Sequence, residues 1–287
     1  HRFINFYAAV LTNIAPEHIE SHGGFEPYLR AKLDLFWRLP HDGFAIINSD
    51  DNQSQRFVAA TGAKKIWYGK DEIDFGSKKF VCKNREIKKD GVSFTLDGEE
   101  MESPLAGEFN FSNIFAAVST VLAFHIAKEK IASALSRFKG VPGRMEYVMH
   151  EPYEIVVDYA HTPDSLKSVY QFLKPKSGAK LICVLGAAGG GRDKWKRPEF
   201  GKIAAEFCDE IILTNEDPYD ENQHQILSEI ESGIFNFQFS IYKIIDRREA
   251  IKKAITSARA GDTVIITGKG SEPWIMGPKG TKIPWDD

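Results

Sequence analysis

The chain has 287 residues, 43% of them hydrophobic and 27% charged, the balance of a folded globular protein long enough for two domains. Its 40 acidic and 37 basic residues are mixed along the chain, so a net charge of −3 offers nucleic acid no basic face. No apolar run is long enough to cross a bilayer and the first residues lack the apolar centre of a signal peptide, so we expect a cytoplasmic protein without membrane insertion.

In chain order, Ala8 to Leu11 and Ala45 to Asn48 read as strands, and Pro27 to Leu39 reads as a helix whose Leu29, Leu33, Phe36 and Trp37 share one face. Short strands at Ile66 to Tyr68, Phe80 to Cys82 and Val92 to Leu96, broken by Gly and charged turns, predict a β-rich lobe. Ile114, Val118, Val121, Leu122 and Ile126 mark a helix over 112–127, and another helix precedes Gly140-Val141-Pro142-Gly143. That glycine-proline stretch is the expected boundary between domains at 1–141 and 142–287. Beyond it, strands at 154–158, 180–185, 210–214, 241–245 and 263–267 alternate with helices at 163–173, 198–208, 221–232 and 247–259. The alternation predicts an α/β chain whose second half is a mostly parallel, Rossmann-like sheet covered on both faces. Cys82, Cys183 and Cys208 stand far apart beside apolar residues and are expected as buried, reduced thiols. A start on His1 and an end just after a turn are what we expect of a segment of a longer chain.

Chemistry concentrates in Val157-Asp158-Tyr159-Ala160-His161-Thr162-Pro163, where a buried strand delivers an acid, a histidine and a helix start. Ligands of open α/β sheets bind at the carboxyl ends of strands, so Asp158 and His161 are placed for ligand work. Gly186-Ala187-Ala188-Gly189-Gly190-Gly191-Arg192-Asp193-Lys194-Trp195-Lys196-Arg197-Pro198 follows the next strand and brings backbone amides and four cations together ahead of a helix that Pro198 can start. The loop suits an anion but is neither a Walker A loop nor a G-x-G-x-x-G fingerprint. Asn215 to Pro218 and Thr267-Gly268-Lys269-Gly270-Ser271-Glu272 close two further strands on the same edge. In the first half, the loop from Asn13 to Gly23 holds His18, His22, Glu17 and Glu20, which suit either a divalent ion or a hydrogen-bonded polar turn. Lys32 sits at the edge of an apolar stripe, where a snorkelling lysine is the plain reading. Asn110 and Asn113 lie at a helix start and suit either a cap or a purine edge.

Together these motifs resemble the Mur ligase family of peptidoglycan synthesis, most closely its MurE type, which adds the third amino acid to the UDP-muramoyl dipeptide. The likeness runs over nearly the whole chain and is carried by Thr12-Asn13 through Gly23, Tyr28 to Lys32, Glu108 to Asn113, Gly143 to Glu146, Asp158 to Pro163, Arg192 to Pro198, and Gly268 to Glu272. It implies the C-terminal part of a central ATP-binding domain followed by a Rossmann-like C-terminal domain. It also implies a reaction in which ATP phosphorylates a substrate carboxylate and an amine attacks the acyl phosphate, with magnesium offsetting charge. On the family pattern His18 holds magnesium and Lys32 is the lysine carried as a carbamate. Asn110 and Asn113 meet adenine, and Arg144, Asp158 and His161 meet ATP from the second domain, which closes on the first. Arg192, Glu216, Asp217, Tyr219, Gly268 and Glu272 line the pocket for a free diamino acid, with Glu272 holding its distal ammonium. A monomer is expected.

Two departures bear on this. Diaminopimelate-adding members usually have Asp-Asn-Pro-Arg where this chain has Glu216-Asp217-Pro218-Tyr219, so the arginine that would clamp a far carboxylate is missing and lysine becomes plausible. The family's glycine-rich phosphate loop and its UDP-binding domain would precede residue 1, so this segment alone is expected to lack phosphoryl transfer while its full-length parent is active. Other readings stay open: a non-catalytic Mur-like module that binds nucleotide or partners a ligase, and a relative of the folylpolyglutamate or cyanophycin synthetase type. A nicotinamide-dependent oxidoreductase would use Glu216 or Asp217 as a ribose acid.

Overall fold

The computed structural model describes residues 4–69, 71–175, 178–235 and 240–287. The chain divides into two compact units, His1–Lys139 and Gly140–Asp287, so the boundary falls two residues before the expected 141/142.

In the first unit the described strands are β1 (Ala8–Leu11), β2 (Phe44–Asn48), β3 (Lys64–Tyr68), β4 (Glu72–Asp74), β5 (Lys79–Lys88), β6 (Gly91–Leu96) and β7 (Glu99–Ser103), hydrogen-bonded in that order into one sheet. β1 to β3 are parallel and the rest antiparallel, which is the β-rich lobe expected from the short strands. Helices α1 (Ile19–His22), α2 (Phe25–Trp37), α3 (Ser54–Ala60), α4 (Glu108–Ala123) and α5 (Lys128–Arg137) complete it. The two-residue period of a strand decides which core each side chain joins. Ile46 faces a cluster with Ile66, Phe94, Phe111 and Phe115, whereas Ala45 and Ile47 face Leu29, Phe36 and Phe57.

In the second unit the parallel strands are β9 (Glu154–Asp158), β10 (Leu181–Leu185), β11 (Glu210–Leu213), β12 (Ser240–Lys243) and β13 (Thr263–Thr267), with β8 (Glu146–Met149) antiparallel at one edge. The spatial order is β12-β11-β10-β13-β9-β8, so the last-made parallel strand inserts between the first two. Continuous Ile, Val and Leu runs let β9, β10, β11 and β13 be buried on both faces, as parallel sheets require, while the edge strand β12 stays partly exposed. The crossovers are α6 (Pro163–Leu173), α7 (Lys196–Phe207), α8 (Gln223–Glu231) and α9 (Arg247–Ser257), followed by the hairpin β14 (Trp274–Met276) and β15 (Lys282–Pro284). Thr162 and Ser165 form a reciprocal capping box at the start of α6, with Pro163 at its first position.

Some expectations shift. The helix read as 112–127 spans Glu108–Ala123, and Ile126 is exposed beyond it, because the chain leaves the helix at Phe124 and His125 takes a left-handed φ of 60°. Trp37 is 69% exposed and does not share the buried face of Leu29 and Phe36. Pro198 is the third residue of α7, not its first, a position where the missing N–H still costs no helical bond. Cys82, Cys183 and Cys208 are buried free thiols, as read from their surroundings.

Gly201 lies where α7 crosses α8 so closely that a Cβ would stand 2.0 Å from the Ile230 carbonyl oxygen. An exposed helix gains about 1 kcal/mol from Gly→Ala. Here the sign reverses: Gly201→Ala should lower the urea unfolding free energy by roughly 1–3 kcal/mol through overpacking.

Candidate active site

The carboxyl ends of β9, β10, β11 and β13 open on one edge, and their loops carry Asp158 to His161, Gly186 to Arg192, Glu216 to Tyr219 and Gly268 to Glu272. At the centre is Lys269, 1% exposed. Its ammonium donates to Asp217 Oδ1 at 2.8 Å and Glu272 Oε2 at 2.7 Å. Burial works against that charge, but the hydrogen bonds from two carboxylates outweigh it and hold the Lys269 pKa above its ordinary value. Burial likewise pushes Glu272 up, and the hydrogen bonds from Lys269 and the Tyr159 hydroxyl bring it net below the usual carboxylate range. Tyr159 donates to Glu272 Oε1 at 2.5 Å, and the Arg144 guanidinium lies 4.3 Å from the centre of the Tyr159 ring. His161 packs edge-on against the same ring, and its Nδ1 is 2.8 Å from the Tyr159 carbonyl oxygen.

Asp158 is buried beside this chain of contacts. Its two oxygens accept the backbone N–H groups of Met145 and Ala160, each at 2.7 Å. Burial raises its pKa, and the two amides, Arg144 and His161 oppose the rise. Asp158 thus fixes the corner that presents Arg144 and Tyr159.

Glu216 stands apart from its neighbours. It is 6% exposed, yet among the described residues its carboxyl has neither a hydrogen bond nor an ion pair. Burial pushes its pKa up to about 7, with Asp217 and Glu272 adding and Arg247 and Lys269 opposing. It lies against Gly268, whose φ is +105°; a Cβ there would sit 2.4 Å from Glu216 Oε2, so both conformation and space require glycine. Asp217 also accepts the Met276 N–H at 2.8 Å, and Tyr219, at φ 51°, donates its N–H to the Met276 carbonyl oxygen at 3.1 Å. The terminal hairpin is tied to this turn. The Tyr219 ring fills the space beside Gly190, where a Cβ would lie 2.5 Å from the ring.

The glycine loop itself is less cationic than its sequence reads. Arg197 is 1% exposed and bound to Glu229, Glu221 and the Ala188 carbonyl, so it braces the loop from within. Lys196 is buried, whereas Arg192 and Lys194 are both exposed, Lys194 pairing with Glu221 at 3.1 Å.

In the first unit, His18 caps α1 in a left-handed conformation, with its Nε2 3.9 Å from Glu17 Oε1. Lys32 is exposed with its ammonium 5.3 Å from the centre of the Tyr28 ring, and His22 packs edge-on against that ring. Asn110 and Asn113 are not caps: Gly107 holds that position. Asn110 donates to the Ala106 carbonyl oxygen at 2.8 Å, and Asn113 to Asn110 Oδ1 at 3.5 Å.

Sequence reading left Lys269, Tyr159 and Arg247 without roles. Arg247, 1% exposed, grips Asp287 with two hydrogen bonds of 2.6 Å and reaches the Thr267 and Asn215 carbonyls. A signal existed: an arginine at the first position of a helix opposes the helix dipole and needs another reason to be there.

An α/β unit joined to a Rossmann-like unit whose ligand edge carries paired acids and an internal lysine defines a class of small-molecule binding enzyme folds. The chain belongs to the Mur ligase family, matching its middle domain over residues 1–121 and its glutamate ligase domain over residues 143–270. It is 41% identical over 286 residues to the UDP-N-acetylmuramoyl-L-alanyl-D-glutamate--2,6-diaminopimelate ligase of Gloeobacter violaceus, covering 98% of this chain and 57% of that protein. It is 40% identical over 293 residues to the ligase of the same name from Syntrophomonas wolfei, covering 99% and 58%. The chain therefore spans little more than half the length of these relatives. A solved diaminopimelate ligase of that name matches at 31% identity, TM-score 0.56, over 99% of this chain and 58% of its own. Mycobacterium tuberculosis folylpolyglutamate synthase matches at TM-score 0.72 and 20% identity over 93% of this chain and 62% of its own, a likeness of fold alone. No described helix is long and apolar enough to cross a membrane.

Because Glu216 binds a proton more tightly folded than unfolded, the native state holds extra protons between its ordinary pKa of about 4.5 and about 7. The sign follows: Glu216 subtracts stability as pH rises through that window and leaves the full deficit above it. Glu216→Gln should raise the urea midpoint at pH 8 by the equivalent of a few kcal/mol, on the order of 1.4 kcal/mol per pKa unit, and change it little at pH 4. Equal gains at both pH values would count against an ionisable group at this position.

Proposed function

We propose that the full-length protein is an ATP-dependent ligase that joins a diamino acid, lysine or diaminopimelate, to UDP-N-acetylmuramoyl-L-alanyl-D-glutamate in peptidoglycan synthesis. The observation that carries this reading is the 41% identity over 98% of the chain to a relative of that name. A carboxylate oxygen is a poor leaving group. Transfer of the γ-phosphoryl group makes an acyl phosphate, the amine nitrogen forms a bond to the carbonyl carbon, the C–O bond to phosphate breaks, and the amine gives up a proton. Amide, ADP and phosphate result.

In this scheme Arg144, Asp158 and His161 serve the nucleotide from the second unit, and Asn110 and Asn113 serve adenine from the first. The amino-acid pocket is built from Arg192, Glu216, Asp217, Tyr219, Gly268 and Glu272. Their support is the family match together with the common sheet edge on which the second-unit residues lie. Among the described residues no group of three His, Cys, Asp or Glu side chains could enclose a metal, so the donors near His18 form no cage of their own. Magnesium held by one or two protein groups, waters and substrate phosphates needs no such cage. When bound it offsets charge on the transferring phosphoryl group. His18 would ligate it, and Lys32 would join it only as a carbamate, since an ammonium repels the ion. We take the protein as a cytoplasmic monomer.

The test is phosphate release by the full-length protein given ATP, magnesium and the UDP-muramoyl dipeptide. L-lysine or meso-diaminopimelate should accelerate release, and Lys32→Ala should depress it by about 10–100-fold without rescue by bicarbonate. Release that ignores both amines would end this assignment, and the non-catalytic module would take its place.

A further inference from the structure

The first unit has a backbone corner of its own, and it lies on the path to His18. Beyond β1 the chain leaves the sheet through Thr12, Asn13 and Ile14, and three side chains from neighbouring strands hold that backbone. Tyr68, the last residue of β3 and 1% exposed, donates its hydroxyl to the Leu11 carbonyl oxygen at 2.9 Å. Asn48, the last residue of β2 and 7% exposed, donates its side-chain amide to the Thr12 carbonyl oxygen at 2.7 Å. Asp51, from the turn after β2, accepts the Ile14 N–H at 2.8 Å. Two carbonyls and an amide are thus fixed from outside, at the point where the parallel pairing of β1 with β2 ends on Leu11 and Ile47.

The three holders are themselves locked. Asn48 Oδ1 accepts the Asp50 N–H at 2.9 Å and Asp51 Oδ1 accepts the Gln53 N–H at 2.8 Å, so each side chain ties its own turn to the exit of β1. The Tyr68 carbonyl oxygen accepts the Ser49 N–H at 2.7 Å and the Ser49 hydroxyl at 3.0 Å, which joins β3 to the same turn. Burial foremost, with the charges of Asp51 and Asp50, holds the Tyr68 pKa above the ordinary tyrosine range, and its hydroxyl stays a donor. Only Ala15, Pro16 and Glu17 separate Ile14 from His18, and Pro16 fixes its own φ and narrows the choices of Ala15. On its far side the His18 carbonyl oxygen accepts the Ser21 hydroxyl at 2.9 Å and the His22 N–H at 3.0 Å. His18 itself has a φ of 54°, a strained value for a non-glycine residue that persists only where the surroundings impose it. The imidazole is strung between two anchors, and its place follows that of Ile14.

We propose that Asn48, Asp51 and Tyr68 are positioning residues that set His18 for the magnesium–nucleotide complex. The inference rests on the ligase reading above and on the role of His18 within it. The three act through the backbone of Leu11 to Ile14, so each contributes orientation. Groups that orient a metal ligand from behind ordinarily cost about 10–100-fold in metal affinity or activity when removed.

The experiment uses the full-length protein and two readouts. One is kcat and the amine KM with whichever of lysine and diaminopimelate the wild type accepts; the other is the affinity for manganese in the presence of ADP, read from the resonance signal of the free ion. Asp51→Asn replaces an acceptor by a donor of the same shape, Tyr68→Phe removes the hydroxyl alone, and Asn48→Asp removes the donor to Thr12. Each should lower kcat and manganese affinity by about 10-fold or more and leave the amine KM within about twofold. The deciding comparison is the same substitution made on His18→Ala. If the three act through the imidazole, adding Asp51→Asn or Tyr68→Phe to His18→Ala costs nothing further in either readout, whereas a merely structural role takes its full loss in both backgrounds. Losses that multiply in the double variants would overturn the proposal, as would wild-type kcat and manganese affinity in the single variants. Tyr68→Phe keeps the buried ring and decides the matter by itself should Asp51→Asn not fold. A wild type that turns over neither amine takes the ligase reading and this inference with it; normal turnover with multiplying losses removes this inference alone.

Discussion

One buried ammonium organises the ligand edge of the second unit. Lys269 leaves the end of β13 on a glycine turn and holds Asp217 from the β11 loop and Glu272 from its own. Through Asp217 it reaches the terminal hairpin at Met276, and through Glu272 it reaches Tyr159 at the end of β9. A buried ion pair contributes little net stability, because desolvation offsets most of the attraction. What it supplies is orientation, since removing one partner strands the other in a medium that tolerates no lone charge. Three loops and a hairpin joined by isolated backbone hydrogen bonds, such as Tyr219 N–H to the Met276 carbonyl and Gly268 N–H to the Asp158 carbonyl, are joined further by one side chain.

That arrangement depends on backbones coming closer than side chains allow. A Cβ on Gly143 would lie 2.2 Å from the Ser271 N, so the chain entering the second unit presses directly on the turn that carries Lys269. The same entering segment is fixed from below by Asp158, which accepts the Met145 amide. Asp158, Gly143 and Lys269 therefore form a continuous support in which a carboxylate sets a backbone corner and the corner sets the ammonium. An acid at a strand's end does structural work before any ligand arrives.

The parallel sheet was legible because its strands are near-continuous apolar runs and its helices carry their own start signals, as at Thr162-Pro163. The ligand edge followed from topology, since every strand end in such a sheet points the same way. Partnership within the edge was not legible. Nothing local distinguishes Glu272, which is neutralised by a lysine three residues back, from Glu216, which is not; the difference arises from Gly268 and from Arg247 being claimed by Asp287 forty positions away. The same limit applied to Arg197, whose place in a basic loop suggested a free cation until α8 supplied Glu229. The start of α4 was misplaced for a simpler reason: Gly107, with φ +98°, is a cap without a side-chain signature.

Glu216 shows why a fold tolerates a local defect. A carboxyl buried without a partner lowers stability at neutral pH, and glutamine of the same shape would remove the penalty. The surroundings of Glu216 hold it there: a Cβ on Gly268 would clash with its carboxyl, and at the same turn the Tyr219 ring is packed against Gly190.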